Sequence, residues 1–188
     1  MPNNCLLYAL LAGLLGLALA YDIGRRRIPN WLVVAGLIAG LGYSLFAAWS
    51  LGVSPQAIGA QGLGTSLLGA VIGLLIMLPL YLLRTMGAGD AKLMAAIGAF
   101  LGPQQITGAA LLTFVAGGVL ALLAALFSGS LARVLGNLKL IGMVVVSGAA
   151  GLKLGDVQTT GRLPYSIAIA VGSALQLGLA AYSDWPFV

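Results

Sequence analysis

Long apolar stretches, separated by short polar segments, follow one another along the whole chain. A helix that crosses a bilayer needs about 20 apolar residues. Five stretches are of that length, at residues 4–21, 30–49, 63–83, 105–127 and 163–182. A sixth, residues 91–101, would rise only about 17 Å as a helix, against a hydrocarbon core of about 30 Å. This short helix must therefore start inside the membrane or be shielded by its neighbours.

Residues 131–161 break the pattern. An apolar run at residues 140–152 is flanked there by Arg133, Lys139 and Lys153. Such a mixture is typical of an amphipathic segment at the membrane surface. We expect an additional interfacial helix or a re-entrant segment in this region.

The basic residues agree with a single topology. Lysine and arginine of short loops stay in the cytoplasm, and six crossings would put every basic residue of this chain on one side. The loops on the other side, residues 50–62 and 102–104, carry no charge. The pattern predicts an all-α, polytopic membrane protein with six transmembrane helices and both termini on the outer side.

Glycines spaced four apart recur within these stretches, as Gly36 with Gly40, Gly69 with Gly73 and Gly98 with Gly102. Small residues at this spacing let helix backbones approach each other closely in lipid, so we interpret them as packing positions. No repeat or linker divides the sequence, and we expect one integral-membrane domain over residues 1–188.

Composition narrows the chemistry. Hydrophobic residues make up 61% of the chain and charged residues 7%, with a mean hydropathy of +1.08, which excludes a water-soluble globular domain. The chain has one cysteine, no histidine and no glutamate. A Cys-cluster zinc site and catalysis by Ser-His or Cys-His pairs are thereby excluded. The net charge of +5 reflects topology, and no nucleic-acid partner is expected.

The acids that remain are Asp22, Asp90, Asp156 and Asp184. Asp22 ends the first span and Asp90 opens the fourth, so the topology puts both at one depth on the cytoplasmic side. An acid inside a span is costly and by default indicates function. If the two carboxyls meet, they cannot both ionise easily and would share one proton. Such a pair can hydrolyse a peptide bond by general acid-base catalysis.

Each acid also has a structural explanation. Asp90 could cap the helix that follows it, and Asp22 could pair with Arg25, Arg26 or Arg27 near the headgroups. Asp156 and Asp184 are expected to be solvated.

Three residues near Asp90 are candidates for a supporting role. Gly87 and Gly89 would leave room for a substrate strand or water beside the carboxyl. Lys92, two positions after Asp90, should lie on a different helix face, where it would reach the interface or meet an acidic group of a substrate.

Residues 22–32 (DIGRRRIPNWL) and 87–102 (GAGDAKLMAAIGAFLG) resemble the two signature blocks of type IV prepilin peptidases, which are GxGD-type intramembrane aspartic proteases. Residues 163–170 (LPYSIAIA) look like the last helix of that family, so the resemblance spans nearly the whole chain. It carries Asp22 and Asp90 over as the catalytic pair.

The resemblance implies cleavage of the leader from a type IV prepilin or pseudopilin at the cytoplasmic face of the inner membrane, with no metal or organic cofactor. The chain lacks the cytoplasmic insertion and paired cysteines of larger members, and so resembles the compact form that serves tight-adherence Flp-type pili. A small proton- or cation-coupled transporter using the same aspartates is the alternative, because intramembrane carboxylates also support transport. A structural subunit of a secretion machine is a third hypothesis.

Overall fold

The computed structural model describes residues 3–25, 27–51, 62–82, 86–127 and 165–180. All regular structure in these ranges is helical. The helices are α1 (Asn3–Arg25), α2 (Asn30–Leu51), α3 (Leu63–Leu82), α4 (Ala88–Phe127) and α5 (Tyr165–Ala180). The all-α prediction is therefore confirmed for the described part of the chain. The interfacial or re-entrant segment expected at residues 131–161 lies outside it.

The first three helices match the predicted apolar stretches to within a few residues, because each is an uninterrupted apolar run bounded by polar or helix-breaking residues. Among the described helices, α1 to α4 are long and apolar enough to cross a membrane. Helix α5 is shorter, at 16 residues, as far as it is described. The fold is thus a helical membrane protein, and the count of six crossings stays a prediction.

Helix α4 differs most from expectation. Its 40 residues would extend about 60 Å if straight, twice the hydrocarbon thickness. The helix is broken at Gly102, whose φ of 78° and ψ of 177° are not helical. A positive φ favours glycine, and Pro103 then suits the first turn of a new helical segment. The two predicted stretches, residues 91–101 and 105–127, are therefore the two arms of α4, and the expected loop at 102–104 is reduced to this break.

The two arms of α4 run in opposite directions along α3. A Cβ atom added to Gly69 would lie 2.2 Å from the carbonyl oxygen of Gly98 and 2.8 Å from the Cα of Gly102. One turn further along α3, a Cβ on Gly73 would lie 2.6 Å from the carbonyl oxygen of Met94 and 3.1 Å from Cγ1 of Ile106. Met94 precedes the break and Ile106 follows it, so the chain turns back at Gly102.

The first arm of α4, residues 88–101, forms the centre of this packing. Every residue from Leu93 to Leu101 is buried. Helix α2 covers one side of the arm, since Cβ atoms on Gly36 and Gly40 would lie 3.3 Å from the Ala96 Cβ and 2.9 Å from the Ala99 Cβ. Of the two explanations for a helix too short to cross lipid, shielding by neighbours is the one observed. The interpretation of the paired glycines as packing positions is likewise confirmed.

Contacts divide the chain into two compact units. One comprises Met1–Gly117 with Pro164–Val188, and the other comprises Gly118–Leu163. The described part of the second unit is the end of α4. All residues of the candidate site belong to the first unit, and the single-domain organisation stays a prediction.

Candidate active site

The polar ends of four helices come together at one end of the first unit. They are the last turn of α1, the first turn of α2, and the first turns of α4 and α5. Three contacts join them: Ser166 of α5 bonds to Asp22 of α1, Lys92 of α4 bonds to Asn30 of α2, and Gly89 packs against Ile28. Residues that are far apart in sequence thus surround a single site.

Asp22 lies in the last turn of α1, where it is half-buried. The hydroxyl of Ser166, a buried side chain in the first turn of α5, donates a hydrogen bond to its Oδ2. Backbone N–H groups within a helix are already bonded to carbonyl oxygens four residues earlier. The carboxyl of Asp22 therefore takes this hydrogen bond from a different helix.

Asp90 lies in the first turn of α4 and is also half-buried. Its Oδ2 accepts a hydrogen bond of 3.2 Å from the backbone N–H of Gly87, and its own N–H donates to the carbonyl of Gly87 at 3.1 Å. This is the geometry of a capping box, in which the side chain of the third helical residue accepts a hydrogen bond from the backbone N–H of the residue just before the helix. The capping explanation of Asp90 is thus observed, but from inside the first turn and not from the position just before the helix.

The two carboxyl groups influence each other electrostatically. Asp22 and Asp90 are close enough for their charges to interact, and the charge of Asp90 also reaches the hydroxyl of Tyr165, next to Ser166. One oxygen of each carboxyl accepts a hydrogen bond: Asp22 from the hydroxyl of Ser166, and Asp90 from the N–H of Gly87. A pair of neighbouring acids held in this way has the chemical elements needed to share a proton and activate water.

Gly87 and Gly89 allow close packing around Asp90. A Cβ on Gly89 would lie 3.0 Å from the Cβ of Ile28, in the segment that joins α1 to α2. A Cβ on Gly87 would lie 3.3 Å from Oδ2 of Asp90. The space beside Gly89 is thus filled by Ile28, and the space beside Gly87 by the carboxyl itself. A supporting role of the two glycines for Asp90 stays a prediction.

Lys92 makes its one described side-chain contact with α2. Its ammonium is exposed and donates a 3.1 Å hydrogen bond to Oδ1 of Asn30, the first residue of α2. Lys92 therefore links the start of α4 to the start of α2 at the rim of the site.

Aromatic residues flank Asp22 at the same end. The Tyr21 ring contacts that of Trp31 edge to face at 6.0 Å, and the guanidinium of Arg25 lies over Tyr21 at 5.9 Å from the ring centre. Arg25, one of the arginines considered as a partner of Asp22, is thus bound to an aromatic face. Arg26 lies outside the described residues.

Sequence reasoning did not select Ser166 and Tyr165. Both belong to the segment that looks like the last helix of the family, and their polar groups open an otherwise apolar stretch on the side predicted to hold both acids. That placement was the available signal. Asp156 and Asp184 lie outside the described residues. Within the ranges described, no group of three potential ligands could hold a metal ion.

Comparison with known proteins gives one family match. Residues 9–122, more than half of the chain, match the model of the type IV leader peptidase family. The match includes Asp22 and Asp90 and ends before Ser166. No curated protein and no solved structure matched the chain.

Proposed function

This chain belongs to the type IV leader peptidase family, and from that premise we propose that Asp22 and Asp90 are the catalytic pair that removes the leader peptide from a type IV prepilin. Membership makes the chain a protease, and with the four long apolar helices it makes the chain an inner-membrane protein. The observation that carries the proposal is the electrostatic interaction between two carboxyls that lie 68 positions apart within the matched region.

The reaction follows from two neighbouring acids that share one proton. The ionised carboxylate takes a proton from water, and the water oxygen attacks the carbonyl carbon of the scissile peptide bond. The protonated carboxyl donates its proton to the carbonyl oxygen. When the tetrahedral intermediate collapses, the peptide C–N bond breaks, and the carboxyl that had taken the proton from water gives it to the leaving nitrogen. A hydroxyl of the intermediate returns a proton to the other carboxyl as the new C=O bond forms. The two carboxyls then again hold one proton between them.

We propose that this end of the first unit faces the cytoplasm, with both termini on the outer side. The exposed basic side chains Arg25, Arg27 and Lys92 lie at the site end. Towards the opposite end of α2, the hydroxyl of Ser44 bonds to the carbonyl of Gly62 at 2.7 Å just before α3, and the described residues from there to the end of α2 carry no charge. Positive charge at the cytoplasmic face is the rule for membrane proteins, and a short basic leader would be cut at that face.

The substrate we propose is a Flp-type prepilin or pseudopilin. It is cleaved at the cytoplasmic membrane face, and the reaction needs no metal or organic cofactor. The chain is compact, and it carries neither the insertion nor the paired cysteines of larger relatives. Gly87, Gly89 and Lys92 support the pair by shaping and anchoring the first turn of α4.

Co-expression with a Flp-type prepilin in a host that lacks any prepilin peptidase tests the proposal. Asp22→Asn and Asp90→Asn should each lower processing by at least about 1,000-fold, because both acids act in one step. Asp156→Asn and Asp184→Asn are the matched controls and should process normally. Immunoblots would separate precursor from mature pilin and report the level of each variant. Normal processing by either of the first two variants would refute the catalytic pair and favour a transport or structural role.

A further inference from the structure

The two carboxyls of the site are held by different means. Oδ2 of Asp90 is bound by the N–H of Gly87, three residues away in the same turn. Oδ2 of Asp22 is bound by the hydroxyl of Ser166, which lies 144 residues further along the chain. Asp90 thus carries its anchor within its own motif, and Asp22 takes its anchor from α5.

An anchor of this kind determines which way a carboxyl faces. The last torsion of an aspartate side chain is broad, so a carboxyl without a partner can rotate about it. A hydrogen bond to one oxygen restricts that rotation and leaves the second oxygen for water or for the other acid. Hydrogen bonds to charged groups are also stronger than those between neutral groups. A small rotation of a reacting group is costly because catalysis depends on its alignment.

Ser166 suits this task for two reasons. Its side chain is 1% exposed, so bulk water cannot readily replace it as the donor to Asp22. It also lies in the first turn of a helix that packs along α1, and the position of its hydroxyl is therefore set by helix packing.

We infer that Ser166 is the positioning residue for Asp22: its hydroxyl holds Oδ2 so that Oδ1 is directed to the reaction. The inference rests on the proposed function, since it assigns a role within that pair. It also gives α5, which lies outside the region matched to the family, a direct part in the site.

Helix α5 offers a matched control. Ser173 lies two turns beyond Ser166 and is completely buried. Its Oγ has no hydrogen-bond partner among the described residues. Loss of a buried hydroxyl from α5 is therefore common to Ser166→Ala and Ser173→Ala, and only the first removes a bond to an acid.

Steady-state cleavage by the purified full chain in detergent tests the inference, with a fluorogenic peptide that spans the leader junction of a Flp-type prepilin as the probe. Ser166→Ala should lower kcat by about 10- to 100-fold, because the anchored carboxyl loses its alignment. KM should change by less than about twofold, since a positioning residue acts on the reaction through Asp22 and not through substrate binding. Ser166→Thr keeps the hydroxyl and should recover most of kcat. Ser173→Ala should stay within about twofold of the parent.

The outcomes separate this inference from the proposed function, with Asp22→Asn measured beside each variant. If Asp22→Asn abolishes cleavage and Ser166→Ala retains full kcat, the positioning role is overturned and the catalytic pair stands. If Asp22→Asn cleaves normally, the proposed function itself fails. Thermal unfolding of each variant is the second readout. If Ser166→Ala and Ser173→Ala lose activity and unfolding temperature equally, Ser166 has a packing role and the inference is overturned. The inference is also overturned if Ser166→Ala and Ser166→Thr both stay folded and lose kcat equally.

Discussion

The site end of the first unit and the contact between α3 and α4 are built in opposite ways. At the contact, Gly69 and Gly98 bring two backbones so close that a Cβ on Gly69 would lie 2.2 Å from a carbonyl oxygen. At the site end, each half-buried acid accepts one hydrogen bond, Asp90 from its own turn and Asp22 from helix α5. The first arrangement stabilises the packing of helices in lipid, and the second orients reactive groups. Stability and chemistry should therefore respond to different substitutions.

The largest effect on stability is expected at the helix contact. In Gly69→Ala the added Cβ would clash with the carbonyl oxygen of Gly98 at 2.2 Å, so the backbone of α3 or α4 must move. Overpacking of this kind costs about 1–3 kcal/mol. We expect a clear fall in unfolding temperature in detergent, with the fraction that stays folded still cleaving prepilin.

Gly64→Ala is the matched control, because it lies in the same helix and a Cβ there would meet nothing within 4 Å. Its unfolding temperature should equal or exceed that of the parent, since alanine favours helix. Equal unfolding temperatures for the two variants would contradict the close approach of α3 and α4.

A smaller effect, and one on activity, is expected at the site end. Gly89→Ala puts a Cβ 3.0 Å from that of Ile28, so the first turn of α4 or the segment before α2 must shift by a few tenths of an ångström. Because the turn carries Asp90, we expect kcat to fall by about tenfold. The unfolding temperature should drop less than in Gly69→Ala.

Gly24→Ala provides the comparison, since it also lies at the site end and a Cβ there would have no neighbour within 4 Å. It should cleave at the parental rate. If both alanine variants cleave equally well, the packing of Ile28 against α4 has no influence on Asp90.

The smallest effect is expected at the rim. Lys92→Gln removes a charge and keeps a group that can donate to Asn30. Exposed polar contacts contribute little to stability, so the unfolding temperature should stay close to that of the parent. The kcat should stay within about twofold of the parental value. Peptide cleavage at several substrate concentrations would check this. A tenfold rise in KM would instead show that Lys92 binds an acidic group of the substrate.

Much of the architecture was readable from the chain. The apolar runs predicted the bounds of α1, α2 and α3 because helix formation in lipid depends on local hydropathy and length. The spaced glycines predicted close packing, and the placement of Asp22 and Asp90 at equal depth predicted a common end. The reversal of the chain at Gly102 could not be predicted in detail from the sequence. A helix break of one residue depends on a backbone angle that residue type alone does not specify.

By itself, the sequence determined that this protein is helical and membrane-embedded, that its acids are few, and that two of them lie in blocks resembling those of a peptidase family. Only the tertiary structure decided that Asp22 and Asp90 interact electrostatically, that Ile28 fills the space beside Gly89, and that Ser166 binds Asp22. The reason is physical: hydropathy and helix propensity are local properties of a segment, whereas the partner of a side chain depends on how whole helices pack.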